Sequence, residues 1–171
     1  MNLTYPMPSM NDTDEEESRI ANDVAQMFSA IQNGATLHEI YGISDDVMEV
    51  IYAHAYDFYQ KGCMDDAKLF FRFLCSHDMY NAQYALGLGA VYQRQKEYAK
   101  AIQMYSLAYA IEPEYARAMF YAGQCYLHLK DKEGAIKSFC KVTGDHVSEA
   151  IKKQAQGYLS VLRSEQGVAH A

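Results

Sequence analysis

The chain has 171 residues, of which 50% are hydrophobic and 13% aromatic, enough apolar side chains to form one sizeable core. Its 22 acidic and 15 basic residues give a formal net charge of -7, so we expect no direct binding to nucleic acid. No stretch approaches the roughly 18 uninterrupted apolar residues of a membrane-spanning helix. We therefore expect a soluble protein that does not itself enter a membrane.

The first segment of the chain is acidic. Residues 1–18 contain Pro6 and Pro8 but no Lys or Arg, the opposite of a signal peptide with its basic start and apolar run. We expect a cytoplasmic protein in which residues 1–14 form a flexible tail.

An amphipathic helix is predicted next, within an amino-terminal helical segment 15–47. Thr13 and Glu16 have the spacing of a capping box, and Gly34 is placed to end the helix. One apolar stripe recurs at helical spacing through Ile20, Val24, Met27, Phe28 and Ile31. The stripe can pack on the first of the repeats that follow or on a second copy of the chain, and both arrangements can hold at once.

Further start signals follow this helix. Thr36 and Glu39 have the spacing of a second capping box. Ser44, followed by Asp45 and Asp46, predicts the start of the next long helix, because acidic residues favour the positive end of the helix dipole.

A period of 34 residues governs the rest of the chain, and five columns of similar residues keep it. The columns are Ala55, Gly89, Gly123 and Gly157; Phe58, Tyr92 and Tyr126; Ala67, Ala101 and Ala135; Phe71, Tyr105 and Phe139; and Leu74, Ala108 and Val142. The first two columns share one face of a helix and the next two share one face of a second helix, so each period predicts a helical hairpin. The small residues let the two backbones approach closely while the rings fill the space around that contact.

Two residues mark helix ends within these periods. Gly62 can adopt the left-handed conformation that ends a helix, and Pro113 stops the second helix of its period. The hairpins resemble the tetratricopeptide repeat. We therefore predict an all-α fold of three tandem tetratricopeptide-like hairpins, with an amino-terminal helix and a carboxy-terminal capping helix. The predicted bounds of the repeats and of the capping helix with its tail are 48–81, 82–115, 116–149 and 150–171.

Motifs for catalysis and cofactor binding are missing from the sequence. There is no phosphate-binding loop, and Gly87 and Gly89 lack the third glycine of a dinucleotide loop. His54, His77 and His128 fall in no ligand pattern, and the four cysteines form no Cys-x-x-Cys pair. We expect a protein that is not an enzyme, with no catalytic residue, no cofactor and no metal site.

A concave binding wall is predicted from the repeat positions. In repeats of this type the second, fifth, ninth and twelfth residues of each unit face inward. These positions hold Glu49, Tyr52, Tyr56 and Tyr59; Gln83, Leu86, Ala90 and Gln93; and Arg117, Phe120, Gln124 and Leu127. The tyrosines of the first unit form one helical stripe, which is either core or groove. Because the repeat already assigns the core face to Ala55 and Phe58, we interpret the stripe as a peptide groove.

Six short strings identify a narrower resemblance. They are Gly34-Ala35-Thr36-Leu37, Ala55-Tyr56-Asp57-Phe58-Tyr59, Phe70-Phe71-Arg72-Phe73-Leu74-Cys75, Asp78-Met79-Tyr80-Asn81, Leu86-Gly87-Leu88-Gly89-Ala90 and Gly123-Gln124-Cys125. In this order, over residues 20–162, they resemble the class II chaperones of bacterial type III secretion translocators. The resemblance implies a cytosolic, ATP-independent holding chaperone for two hydrophobic translocator proteins before their export.

The resemblance also implies roles for particular residues. In the family the groove takes an extended client segment of the type Pro-x-Leu-x-x-Pro, and the matching positions are Tyr52, Tyr56, Tyr59, Leu86 and Phe120. Ala90, Gln93 and Gln124 complete the predicted groove, although Ala90 and Gln93 depart from the family pattern.

Two further partners are implied by the resemblance. Members often form homodimers through the amino-terminal helix, which assigns a contact role to Val24, Met27 and Phe28, and some bind an AraC-type transcription activator. The alternative function is that of a repeat scaffold, or a transcriptional co-activator partner, that joins folded proteins.

Overall fold

The computed structural model describes residues 10–142 and 147–168, and this part of the chain contains nine α-helices, one 3-10 turn at Pro113–Tyr115 and no strand. The predicted all-α fold is confirmed. The helices are α1 (Met10–Gln32), α2 (Leu37–Ile40), α3 (Asp45–Lys61), α4 (Met64–His77), α5 (Ala82–Arg94), α6 (Tyr98–Ile111), α7 (Arg117–His128), α8 (Lys132–Phe139) and α9 (Glu149–Val168). The chain divides into two compact units, one ending at Ile43 and the other beginning at Ser44.

The first unit contains α1 and α2. Because α1 begins at Met10, the prediction that Thr13 caps it is wrong, and residues 10–14 of the predicted tail are helical. Residues 1–9 lie outside the described part of the chain. The predicted capping box of α2 is confirmed, since the backbone N–H of Thr36 donates to Glu39 Oε2 at 2.8 Å. This hydrogen bond and a second one, from the Thr36 hydroxyl to the same oxygen at 2.9 Å, lower the pKa of the Glu39 carboxyl.

The apolar stripe of α1 is largely open to solvent. Ile20, Val24 and Phe28 are 53%, 43% and 60% exposed, and Met27 is half-buried. Isolated apolar side chains at a surface are ordinary, but three of them on one face of a helix form an unsatisfied apolar strip.

The second unit consists of three helical hairpins and a final helix. The pairs are α3 with α4, α5 with α6 and α7 with α8, and each helix packs mainly on its neighbours in the chain. Local sequence starts two of these helices through side-chain caps. Asn81 Oδ1 accepts from the backbone N–H of Gln83 at 3.0 Å, and Asp131 Oδ1 accepts from that of Gly134 at 2.8 Å.

The 34-residue columns form the contact between the helices of each hairpin. Ala67, Ala101 and Ala135 are fully buried, and Phe71, Tyr105 and Phe139 are each 1% exposed. A Cβ atom on Gly89 would lie 2.8 Å from the Tyr105 ring, and one on Gly123 would lie 2.5 Å from the Phe139 ring. Only a residue without a side chain allows this approach. Gly157 departs from the pattern, because it is exposed and a Cβ there would meet nothing within 4 Å.

The final helix covers the end of the third hairpin through other residues. The Tyr158 ring stacks on that of Phe139, with centroids 4.9 Å apart and planes 2° from parallel. Ala155 and Leu162 are buried on the same helix. A cap of this kind closes the apolar end of a repeat array that would otherwise face water.

Candidate functional site: a tyrosine-lined cavity

A cavity of about 760 Å³ lies between the first helices of the three hairpins, and rings from α4 and α6 form part of its wall. Its lining residues are Tyr52, Tyr56, Tyr59, Phe71, Gln83, Leu86, Gly87, Ala90, Gln93, Arg94, Lys96, Tyr98, Tyr105, Arg117, Tyr121, Gln124 and His128. A cavity of this size accommodates part of an extended peptide or a small molecule.

The tyrosine stripe of α3 forms one wall. The rings of Tyr52 and Tyr56, and those of Tyr56 and Tyr59, stack with centroids 6.5 Å apart in both pairs. Tyr56 is 50% exposed, whereas Tyr52 and Tyr59 are half-buried. The Tyr52 hydroxyl oxygen accepts a hydrogen bond from Gln83 Nε2 at 2.8 Å, which ties α3 to α5. Burial raises the pKa of Tyr52, so its hydroxyl stays protonated and can donate to a ligand.

The floor of the cavity depends on a glycine. Gly87 lies on α5 over the Phe71 ring, and a Cβ atom there would lie 2.1 Å from that ring. Any side chain at this position would therefore displace Phe71 or fill the cavity. Gly87 falls outside the 34-residue columns, which is why the repeat pattern did not identify it.

A polar chain crosses the middle of the cavity. The Tyr105 hydroxyl donates to Gln93 Oε1 at 2.6 Å, and Gln93 Nε2 donates to Gln124 Oε1 at 3.5 Å. Burial raises the pKa of Tyr105 above the ordinary tyrosine value, so this hydroxyl remains a donor in mildly basic solution as well as at neutral pH. The chain orients the amide of Gln93 and leaves amide groups for the backbone of a bound segment.

Basic side chains line the cavity near the end of α5 and at both ends of α7. The Arg94 guanidinium lies over the Tyr59 ring, 5.5 Å from its centroid. The His128 ring stacks on Tyr98, with centroids 4.4 Å apart and planes 4° from parallel. Lys96 and Arg117 complete the basic part of the lining.

The cavity contains all but one of the predicted groove residues. Tyr52, Tyr56, Tyr59, Leu86, Ala90, Gln93 and Gln124 line it. The prediction that Phe120 lines it is wrong, because this residue is 3% exposed and its ring packs toward Phe139 and Tyr158, at 5.9 Å and 6.2 Å. The next residue, Tyr121, lines the cavity instead, and Glu49 and Leu127 of the predicted wall do not. The part that the lining residues play in binding stays a prediction.

Sequence reasoning missed several lining residues for two reasons. The repeat pattern predicts only a core position for Phe71 and Tyr105, whereas each ring also reaches the cavity. Arg94, Lys96 and His128 lie at helix ends, beyond the four inward positions of each repeat. The closeness of Arg94 to Lys96 in the sequence is the signal that could have indicated a basic edge.

Metal ligation and membrane crossing have no structural support in the described ranges. Within residues 10–142 and 147–168, no cluster of three or more His, Cys, Asp or Glu side chains is placed to hold a metal ion. Nor does any helix in the same ranges have the length and apolarity to cross a membrane.

Comparison with known proteins places the chain in a family. Two tetratricopeptide repeat family models match it, one over residues 48–81 and one over residues 65–146. Chaperone protein SicA of Salmonella typhimurium is 37% identical over 155 residues, which cover 91% of this chain and 92% of SicA. The crystal structure of the type III secretion chaperone SycD of Yersinia enterocolitica, in complex with a peptide of the translocator YopD, has a TM-score of 0.68 at 26% identity and covers 72% of this chain and 98% of SycD. This chain belongs to the type III secretion translocator chaperones.

A second solved structure supports the family placement. PcrH of Pseudomonas aeruginosa, in complex with the chaperone binding region of PopD, matches with a TM-score of 0.68 and 34% identity. The match covers 73% of this chain and 97% of that one. Since these matches cover 92% or more of each relative and 72% or more of this chain, the similarity to the translocator chaperones extends beyond the repeats that the family models recognise.

Proposed function

We propose that this protein is a cytoplasmic, ATP-independent holding chaperone that binds hydrophobic type III secretion translocators and keeps them soluble until export. The client enters as an extended segment of the type Pro-x-Leu-x-x-Pro and lies in the tyrosine-lined cavity. The PcrH complex with PopD and the SycD complex with a YopD peptide support this proposal, because both are complexes of related chaperones with client segments.

The observation that carries the proposal is the open tyrosine wall facing a polar chain of amides. Tyrosine offers a large ring at a low cost in conformational entropy, together with a hydroxyl for the backbone of a peptide. Gln93 and Gln124 supply further partners for that backbone from α5 and α7. An apolar client segment can therefore be masked in a preformed groove, and no nucleotide is needed to drive the step.

The simplest way for one chain to serve two translocators is to bind both at the same cavity. PcrH has been crystallised with the chaperone binding regions of both PopD and PopB. By analogy, we propose that two hydrophobic translocators bind this chain in turn at the same residues. An AraC-type activator as a further partner stays a prediction, as does the alternative function as a scaffold or transcriptional co-activator partner.

We further propose a homodimer through α1, with Val24, Met27 and Phe28 at the contact. The exposure of Val24 and Phe28 supports this assignment, because a second copy of the same strip would cover them. SycD has also been crystallised in an alternative dimer.

The experiment that tests the holding function removes two rings of the tyrosine wall. In Tyr52→Ala/Tyr56→Ala we expect a Pro-x-Leu-x-x-Pro peptide to bind at least a hundredfold more weakly, because each ring is an anchor worth on the order of 2 kcal/mol. A co-expressed translocator should then become insoluble. Fluorescence anisotropy measures the affinity, and circular dichroism checks the fold.

A matched control removes two exposed tyrosines that do not line the cavity, Tyr41 and Tyr80. The Tyr41→Ala/Tyr80→Ala variant should bind the peptide as the parent does. If the Tyr52/Tyr56 variant is folded and binds as tightly as this control, the cavity is not the client site. If it is unfolded, single substitution of Tyr56, which is the most exposed of the three rings, decides the matter.

A further inference from the structure

The charge of the cavity is opposite to that of the whole chain. The protein carries a formal net charge of -7, yet Arg94, Lys96 and Arg117 all line the cavity. Among the described residues that line it, none is acidic. A binding site of one sign on a molecule of the other sign selects its ligand by charge.

Two arginines of the cavity lie over tyrosine rings, Arg117 over Tyr115 at 5.3 Å and Arg94 over Tyr59 at 5.5 Å, and of these two rings only Tyr59 lines the cavity. Arg94 lies in the last turn of α5, it is exposed, and its guanidinium is held over the Tyr59 ring. The attraction between a guanidinium and the face of a ring favours this position and leaves N–H groups of the guanidinium available to a ligand. Among the ion pairs of residues 10–142 and 147–168, none includes Arg94.

The acidic residue nearest to Arg94 in the sequence is engaged elsewhere. Glu97 forms ion pairs with Lys100 and, at 3.7 Å, with Lys68. The hydrogen bond from Lys100 lowers the pKa of the Glu97 carboxyl. Glu97 is therefore already paired with two lysines, which leaves Arg94 to a ligand.

We propose that Arg94 determines client specificity by pairing with a carboxylate of the bound segment, next to the client residue that packs on Tyr59. This inference rests on the proposed function of the cavity. An extended peptide with one acidic residue fits because a carboxylate can accept two parallel N–H bonds from a guanidinium. A nucleic acid strand fits poorly, since it needs a longer track of cations than these few side chains provide.

The test uses fluorescein-labelled synthetic peptides and the full-length chain. The reference peptide is Ser-Ser-Pro-Gln-Leu-Gln-Gln-Pro-Ser-Ser, and three others replace one Gln at a time with Glu. Glu and Gln have the same shape, so any difference in affinity reports charge. Fluorescence anisotropy is measured for the parent, for Arg94→Gln, and for the control Arg72→Gln, which removes an exposed arginine outside the cavity.

We expect one Glu peptide to bind the parent about three- to tenfold more tightly than the reference peptide at low salt, as for a partly exposed charge pair. The preference should shrink with added salt. It should disappear in Arg94→Gln, persist in Arg72→Gln and be partly retained in Arg94→Lys, each compared with the same variant's own binding of the reference peptide, and Arg72→Gln should bind that peptide as the parent does.

Two results would overturn the inference while leaving the proposed function intact. One is equal binding of all four peptides to the parent. The other is a preference for Glu that survives in Arg94→Gln, which would assign the selection to other cations of the cavity. Failure of all four peptides to bind the parent would instead overturn the proposed function, and this inference with it.

Discussion

Three equivalent residues in successive repeats adopt the left-handed backbone conformation. Gly62, Lys96 and Lys130 are 34 residues apart and have φ angles of +82°, +62° and +60°. Each ends or follows the first helix of its hairpin, where the chain must reverse within a few residues. Glycine adopts this conformation freely, whereas an L-residue with a side chain is strained in it by about 1 kcal/mol or more. The backbone is therefore locally strained at Lys96 and Lys130.

Replacing Lys130 with glycine should stabilise the protein by about 0.5 kcal/mol, since the relief of strain exceeds the added backbone entropy of glycine in the unfolded chain. Urea denaturation measures the change. The control is Lys137→Gly inside α8, which should cost about 1 kcal/mol. A Lys130→Gly variant that is destabilised as much as the control would show that the lysine side chain makes a contact more important than the strain.

The close approach of the two helices within a hairpin makes stability sensitive to a side chain at the contact. In α7, Gly123→Leu should reduce the free energy of unfolding by about 1 to 3 kcal/mol, because the new side chain overlaps the Phe139 ring. Gly157 is the matched control, since it is in the same 34-residue column but exposed in α9. Gly157→Leu should leave the thermal midpoint unchanged or raise it. Equal midpoints for Gly123→Leu and the parent would contradict the close contact of α7 with α8.

The hairpins could be predicted from the sequence because their contacts repeat. Ala67, Ala101 and Ala135 sit at one spacing and share one environment, so the period itself reports the packing. Gly157 keeps the spacing without the contact, because the final helix has no second helix of its own to approach. The prediction that Phe120 lines the cavity is wrong for a related reason. The third hairpin is followed by α9, and the Phe120 ring packs with Tyr158 of that helix in the core. In the last repeat of an array, contacts with the capping helix decide whether a side chain is buried, so the repeat pattern does not predict it.

Self-association of the molecule is tested on α1. Val24→Glu/Phe28→Glu places two charges in the proposed apolar contact, which costs more than a dimer of micromolar affinity can absorb. We expect light scattering to give the mass of a monomer. Asn22→Glu/Ser29→Glu is the control, because these two exposed residues lie on the opposite face of the same helix. A dimer that survives the first pair of substitutions would remove Val24 and Phe28 from the interface.

The order of packing in the second unit has a mechanical meaning. Each hairpin contacts mainly the next one along the chain, so the first and the third are joined largely through the second. A client segment that lies along α3, α5 and α7 would contact all three hairpins and so link the first to the third. Local unfolding of one hairpin in the complex then requires part of the client to dissociate. Removal of the client from one end takes away its stabilising contacts one hairpin at a time. An export machine that draws the client away from one end would meet a series of small barriers in place of one large one.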